Sequence, residues 1–171
     1  MPAGAALSEH DLAAYLRDAG VEAELVRPGV PTPTVPDAAR ALGVAPTAII
    51  KSLVFTADGD PLLVIAAGEA RVRMPALARA LGTSRRGVKL ASPDETLAMT
   101  GFVVGSMPPF GHRSTLPTLV DSVSVPVGGV VYGGGGGTDV LLRVPVDTLL
   151  EVTQARHLPL TDDEGAKETN R

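Results

Sequence analysis

The stretch Ile49-Ile50-Lys51-Ser52-Leu53-Val54-Phe55, followed by Asp58-Gly59 and then by Pro61-Leu62-Leu63-Val64-Ile65-Ala66-Ala67, reads as two buried strands around a turn. Strands this close must pair antiparallel, because a parallel partner needs a crossover of about a dozen residues or more. The connecting loop is expected to be longer than the tightest two-residue kind. The same economy recurs further on: Val130 to Tyr132 and Val140 to Val144 read as strands, joined by Gly133 to Gly137 as a flexible hairpin or glycine-rich rim. Shorter strands are expected at Val21 to Val26, Val88 to Leu90 and Thr118 to Asp121.

Helices are interleaved with these strands. Ser8 to Ala19 has Ser8 as N-cap, acids at Glu9 and Asp11, and Gly20 as stop. Others are expected at Pro36 to Leu42, Pro75 to Leu81 and Val146 to Gln154, with a helical turn at Pro46. Ser92-Pro93-Asp94-Glu95 opens one more, with Ser92 and Glu95 forming a capping box. Helices mixed with close strand pairs predict an α+β sheet of mixed direction, rich in antiparallel pairing, rather than a doubly wound one. Length makes one domain the default, over residues 1–160. The polar, charged run 161–171 is expected to be a disordered tail.

Composition narrows the function. Hydrophobic residues make up 44% and aromatics 3%, with no Trp, so the core must be aliphatic. The absence of cysteine excludes disulfides, a thiol nucleophile and thiolate metal sites, and fits the cytoplasm. With only His10, His112 and His157, a multi-histidine metal site is not expected either. Met1 to Leu7 lacks the pattern of a signal peptide, and no apolar run is long enough for a membrane span. A net charge of −4 argues against tight, autonomous nucleic-acid binding. It leaves room for a local patch, although the basic segment Arg71, Arg73, Arg79, Arg85, Arg86 and Lys89 reads first as solvated helix and loop surface.

Two places carry candidate chemistry. Lys51 stands in an apolar strand and shares a face with Leu53 and Phe55. It is either an edge lysine that snorkels to water or an ammonium held in a pocket to bind phosphate or orient an ester. Gly105-Ser106-Met107-Pro108-Pro109-Phe110-Gly111-His112 is a stiff loop, with two prolines fixing φ and glycines bounding it. His112 is either a hydrogen-bonded brace or a pocket residue. No G-x-S-x-G elbow supports a hydrolase triad, and Gly133 to Gly137 lacks the spacing of a phosphate loop.

Together, Ile50 to Phe55, Gly105 to His112 and the ordered pieces around them resemble the YbaK/prolyl-tRNA-editing family. Those pieces are Val64-Ile65-Ala66-Ala67-Gly68, Leu90-Ala91-Ser92-Pro93-Asp94-Glu95, Leu119-Val120-Asp121, Val131-Tyr132 and Leu142-Arg143-Val144-Pro145. The resemblance implies one α+β domain with a curved, mixed, largely antiparallel, barrel-like sheet surrounded by helices. It implies hydrolysis of mischarged aminoacyl-tRNA, typically proline tRNA, without metal or cofactor. The family's essential lysine falls on Lys51, and its G-x-x-x-P oxyanion loop on Gly105, Ser106, Met107, Pro108 and Pro109. Gly101, Phe110, Gly111, His112, Asp121, Gly134 and Gly135 are expected near the pocket. The implied partner is the acceptor end of aminoacyl-tRNA, bound transiently, with an aminoacyl-tRNA synthetase as a second candidate. Alanine, cysteine, serine and threonine all stay open as the amino acid removed. A non-catalytic tRNA- or synthetase-binding module of the same fold is the competing reading, and a small-molecule esterase a third.

Overall fold

The computed structural model describes residues 4–162. In chain order these form α1 (Glu9–Ala19), β1 (Glu24–Val26), α2 (Val35–Leu42), β2 (Ile50–Ala57), β3 (Asp60–Ala67), α3 (Met74–Leu81), β4 (Val88–Leu90) and α4 (Pro93–Thr100). Then come β5 (Thr118–Asp121), β6 (Val130–Gly137), β7 (Val140–Pro145), α5 (Val146–Thr153) and β8 (Arg156–Leu158). Short 3-10 turns at Pro46–Ala48 and Arg85–Gly87 precede β2 and β4.

The β2–β3 hairpin is the spine. Its register runs from Ile50 opposite Ala67 to Ala57 opposite Asp60. The strands extend further than expected and leave a two-residue turn, with Asp58 at φ 50° and Gly59 at φ 90°. This tight turn matches the twist of the strands and corrects the longer loop inferred from sequence. β4 pairs antiparallel with β2, β5 parallel with β3, and β8 parallel with β5. A second sheet, in the order β1-β7-β6, is antiparallel throughout. A parallel bridge from Ile49 to Tyr132 joins the two sheets. The result is a curled, mixed α+β fold that stops short of a closed barrel.

Alternation along β2 splits the core as the sequence pattern requires. Ile50 and Val54 enter a cluster shared with α1, β6, β7 and α5. Phe55 and partly buried Leu53 enter another, beneath Leu77 and Ala78 of α3. α2 covers a third, small cluster through Ala38 and Ala39. The caps read from sequence hold at Ser8 and Ser92, each with a reciprocal box.

Four further expectations change. β1 starts late because the Val21 N–H donates to the Leu16 carbonyl at 2.9 Å, which spends those residues on closing α1. The glycines of 133–137 are strand, not hairpin: β6 runs through them, and the turn falls at Thr138 and Asp139. β8 follows α5 where no strand was expected, paired with β5. Thr161, expected to open the tail, is buried and bonded to Asp121; residues 163–171 lie outside the described residues.

Candidate active site

The loop after α4 is held by its own backbone. Both the N–H and the hydroxyl of Ser106 donate to the Val103 carbonyl, at 3.1 and 3.0 Å. The Ser106 carbonyl accepts from the Gly136 N–H of β6 at 2.8 Å. Two residues earlier in that strand, a Cβ at Gly134 would lie 2.7 Å from the carbonyl carbons of Ser106 and Met107. The loop therefore lies directly on the β6 backbone, and only a side chain of hydrogen leaves room for it. The glycine run is thus a docking strip for the loop on one side and, at Gly136, for the first turn of α1.

Behind the loop, Pro108, Pro109 and Phe110 are buried. The Phe110 ring packs on Tyr15 at 5.8 Å. The His112 Nε2 lies 2.7 Å from the Pro108 carbonyl. A carbonyl only accepts, so Nε2 carries the proton in this bond. The imidazole also meets Phe102 edge-on at 6.1 Å. Burial holds its pKa below the ordinary value, with the Pro108 bond opposing in part.

In front of the loop is a cavity of about 230 Å³. Lys51 and Ser52 of β2 border it on one side, Gly105, Met107 and Gly134 on another, and Thr34 and Val35 at the start of α2 on a third. Lys51 is partly buried, not a fully solvated edge lysine. The cavity continues into a larger groove of about 590 Å³, to which Pro31, Val103 and Ser106 contribute. The groove shares Thr32, Pro33, Val104, Gly105, Gly134 and Leu141 with the cavity.

The structure thus brings Lys51, Gly105, Met107 and Gly134 together, with Ser106 at the adjoining groove. The other expected pocket residues are not there. Pro109, Phe110, Gly111 and His112 border a separate void of about 80 Å³ behind the loop, and the Pro108 carbonyl is bonded on that side. Gly101 is the left-handed C-cap of α4, where a Cβ would meet the Leu7 side chain at 2.7 Å. A Cβ at Gly135 would lie 2.7 Å from the Val140 carbonyl oxygen, across the hairpin.

Asp121 is fully buried, and its carboxylate is occupied within the fold. It accepts from the Ser124 amide at 2.9 Å and hydroxyl at 2.5 Å, the Leu160 amide at 2.8 Å, and the Thr161 hydroxyl at 2.6 Å. Burial pushes its carboxyl up, but the bonds from Ser124, Thr161 and Leu160 outweigh this and hold it below its usual value. Sequence reasoning passed over Thr32, Pro33, Thr34 and Val35. The available signal was the proline-rich connection from Pro28 to Pro36, too stiff to be a mere spacer.

The fold is an α+β domain in which a partly buried lysine and a stiff backbone loop border the same small cavity. By comparison with known proteins, the chain belongs to the aminoacyl-tRNA editing domain family, whose model matches residues 30–152. It is 34% identical over 96 residues to the proline–tRNA ligase of Nitratidesulfovibrio vulgaris (strain DP4), covering 54% of this chain and 16% of that protein. It is 38% identical over 79 residues to the uncharacterized protein YwhH of Bacillus subtilis (strain 168), covering 46% of this chain and 48% of that one. The matches thus span about a sixth and about half of these relatives. A solved structure of a candidate trans-editing enzyme for prolyl tRNA synthetase superposes with a TM-score of 0.80 at 28% identity, over 95% of this chain and 98% of that one.

Proposed function

We propose that this protein is a trans-editing hydrolase that deacylates mischarged aminoacyl-tRNA, with proline tRNA carrying a wrong small amino acid as the substrate. The observation that carries this reading is that Lys51, Gly105 and Met107 border one cavity. Hydrolysis of an aminoacyl ester passes through a tetrahedral oxyanion. Preorganised backbone N–H groups stabilise that charge, each worth about 3 kcal/mol. The Ser106 N–H is already bonded to Val103, and prolines have none to offer. The Gly105 and Met107 amides are therefore the donors for the oxyanion. The Lys51 ammonium holds the terminal phosphate or orients the ester. A neighbouring ribose hydroxyl assists the attacking water.

The small cavity suits a small aminoacyl group, although one methylene in an apolar pocket discriminates by only about 1–3 kcal/mol. The acceptor end binds transiently in the cytoplasm, alone or handed over by a synthetase. The test is a panel of proline tRNAs charged with alanine, cysteine, serine, threonine or proline. The wild type should release at least one wrong amino acid faster than proline, and Lys51→Ala should lower that rate roughly 100-fold or more. No release from any member of the panel would leave a binding module; equal rates for wild type and variant would remove Lys51 from the mechanism.

A further inference from the structure

The basic segment beside the cavity has no part in this chemistry. Six of the fifteen lysines and arginines lie between Arg71 and Lys89, and no acid occurs between Glu69 and Asp94. The chain as a whole carries −4, so this positive segment sits in an otherwise acidic protein. All six cations are exposed. Arg17, Arg27, Arg40, Arg73 and Arg143 each pair with a carboxylate. Among the described residues, no such ion pair engages Arg79, Arg85, Arg86 or Lys89. On the β2–β3 turn, Asp58 accepts from the Thr83 hydroxyl at 2.5 Å and its N–H donates to the Gly87 carbonyl at 2.9 Å, and Asp60 is exposed.

Strand pairing places this segment next to the site. β3 occupies one edge of β2 along its full length. On the other edge, Tyr132 of β6 bridges Ile49, and β4 pairs with Phe55–Ala57, with Lys89 opposite Thr56. The gap between β6 and β4 is where Lys51, Ser52 and Leu53 border the cavity. Phe55 lies four residues along the strand from Lys51, which is about 13 Å. Lys89, opposite Thr56, is the first of the unpaired cations, three residues or about 10 Å along β2 from Leu53 at the cavity border, and the segment runs back from it through the Arg85–Gly87 turn to α3.

We propose that Arg79, Arg85, Arg86 and Lys89 hold the phosphodiester backbone of the tRNA acceptor arm whose end enters the cavity; this rests on the editing reading. Arginine forks match phosphate geometry, and cations without carboxylate partners are available for it. Because the rest of the surface is acidic, the field favours one approach of a polyanion, and the ridge sets the orientation of the arm as well as its affinity.

The test compares wild type with the triple variant Arg85→Ala, Arg86→Ala, Lys89→Ala, after thermal unfolding has shown equal stability. Two esters are hydrolysed: mischarged proline tRNA, and the aminoacyl ester of the terminal nucleoside alone, which is too short to reach the ridge. Binding of uncharged tRNA is followed by fluorescence anisotropy over a salt series. The variant should raise KM for the tRNA at least tenfold and leave the nucleoside ester unchanged. The log–log salt slope should flatten by about 2–3, close to one for each phosphate that the variant no longer neutralises. An unchanged affinity and slope would overturn the ridge, as would an equal loss on both esters or a loss seen only with a synthetase present. If wild type hydrolyses neither ester, the editing reading fails, and the binding series still decides for or against the ridge.

Discussion

At Gly134 a single methyl group is enough to disturb the site. The added carbon would press on the Ser106 and Met107 backbone, which has no flexible tip to move aside. Gly134→Ala should shift the loop, cost about 1–3 kcal/mol from overpacking, and lower kcat of deacylation roughly 100-fold, as misplacements near 1 Å do. Gly105 differs: a Cβ there would meet nothing, but its φ of 93° strains any other residue. Gly105→Ala should lower kcat with a smaller loss of stability. Turnover and urea unfolding of the two variants check both statements, and wild-type kcat in Gly134→Ala would remove the loop's position from the mechanism.

His112 belongs to the same scale. It braces the loop through the Pro108 carbonyl and lies outside the cavity that holds Lys51. Burial lowers its pKa in the fold, so the unfolded chain takes up a proton at higher pH than the folded one. Its contribution to stability is complete above the ordinary imidazole value of about 6.5. It falls as pH drops through that value toward the folded pKa. His112→Gln keeps a donor for Pro108 but cannot titrate. The difference in unfolding free energy between wild type and this variant should shift against the wild type between about pH 7.5 and 5; a flat difference would refute the assignment.

At the scale of elements, Asp121 ties the end of β5 to the chain beyond β8. Its carboxylate gathers amides and hydroxyls from Ser124, Leu160 and Thr161, and the Ser124 hydroxyl in turn accepts from the Ala67 amide at the end of β3. Asp121→Ala leaves several buried donors without a partner, at about 1–3 kcal/mol for each that finds no water. The variant should lose roughly 3–5 kcal/mol in denaturant unfolding, at the upper end for single substitutions. Wild-type turnover by its folded fraction is expected, because the carboxylate does not border the cavity. A stable variant with lost activity would restore the pocket role expected from sequence.

On the scale of the whole molecule, the site lies in the seam between two sheets. β2 from one sheet supplies Lys51, and β6 from the other supplies the floor on which the loop rests. The same seam separates β6 from β4, so the cavity and the basic ridge share one edge of β2.

Local rules decided much of this. The helix limits at Ser8, Ser92 and Gly20, the antiparallel β2–β3 pair and the stiffness of the loop follow from capping, alternation and proline geometry, which act over a few residues. Lys51 stood out because a charge in an apolar strand breaks the local pattern. Gly105 to Gly111 stood out as a loop stiffened by two prolines and bounded by glycines. Pairings distant in sequence were not. Nothing local marks Gly134 as the seat of the loop, since its role depends on the Met107 backbone pressing against it. Asp121 reads equally well as a pocket acid or a structural anchor, and only Leu160 and Thr161, brought in by β8, choose between them. His112 was a brace or a pocket residue until the fold set it behind the loop. Composition and periodicity thus determined the elements and the suspect residues. Tertiary structure decided which of them face one cavity, because that depends on how two sheets meet, and no periodicity within a strand records it.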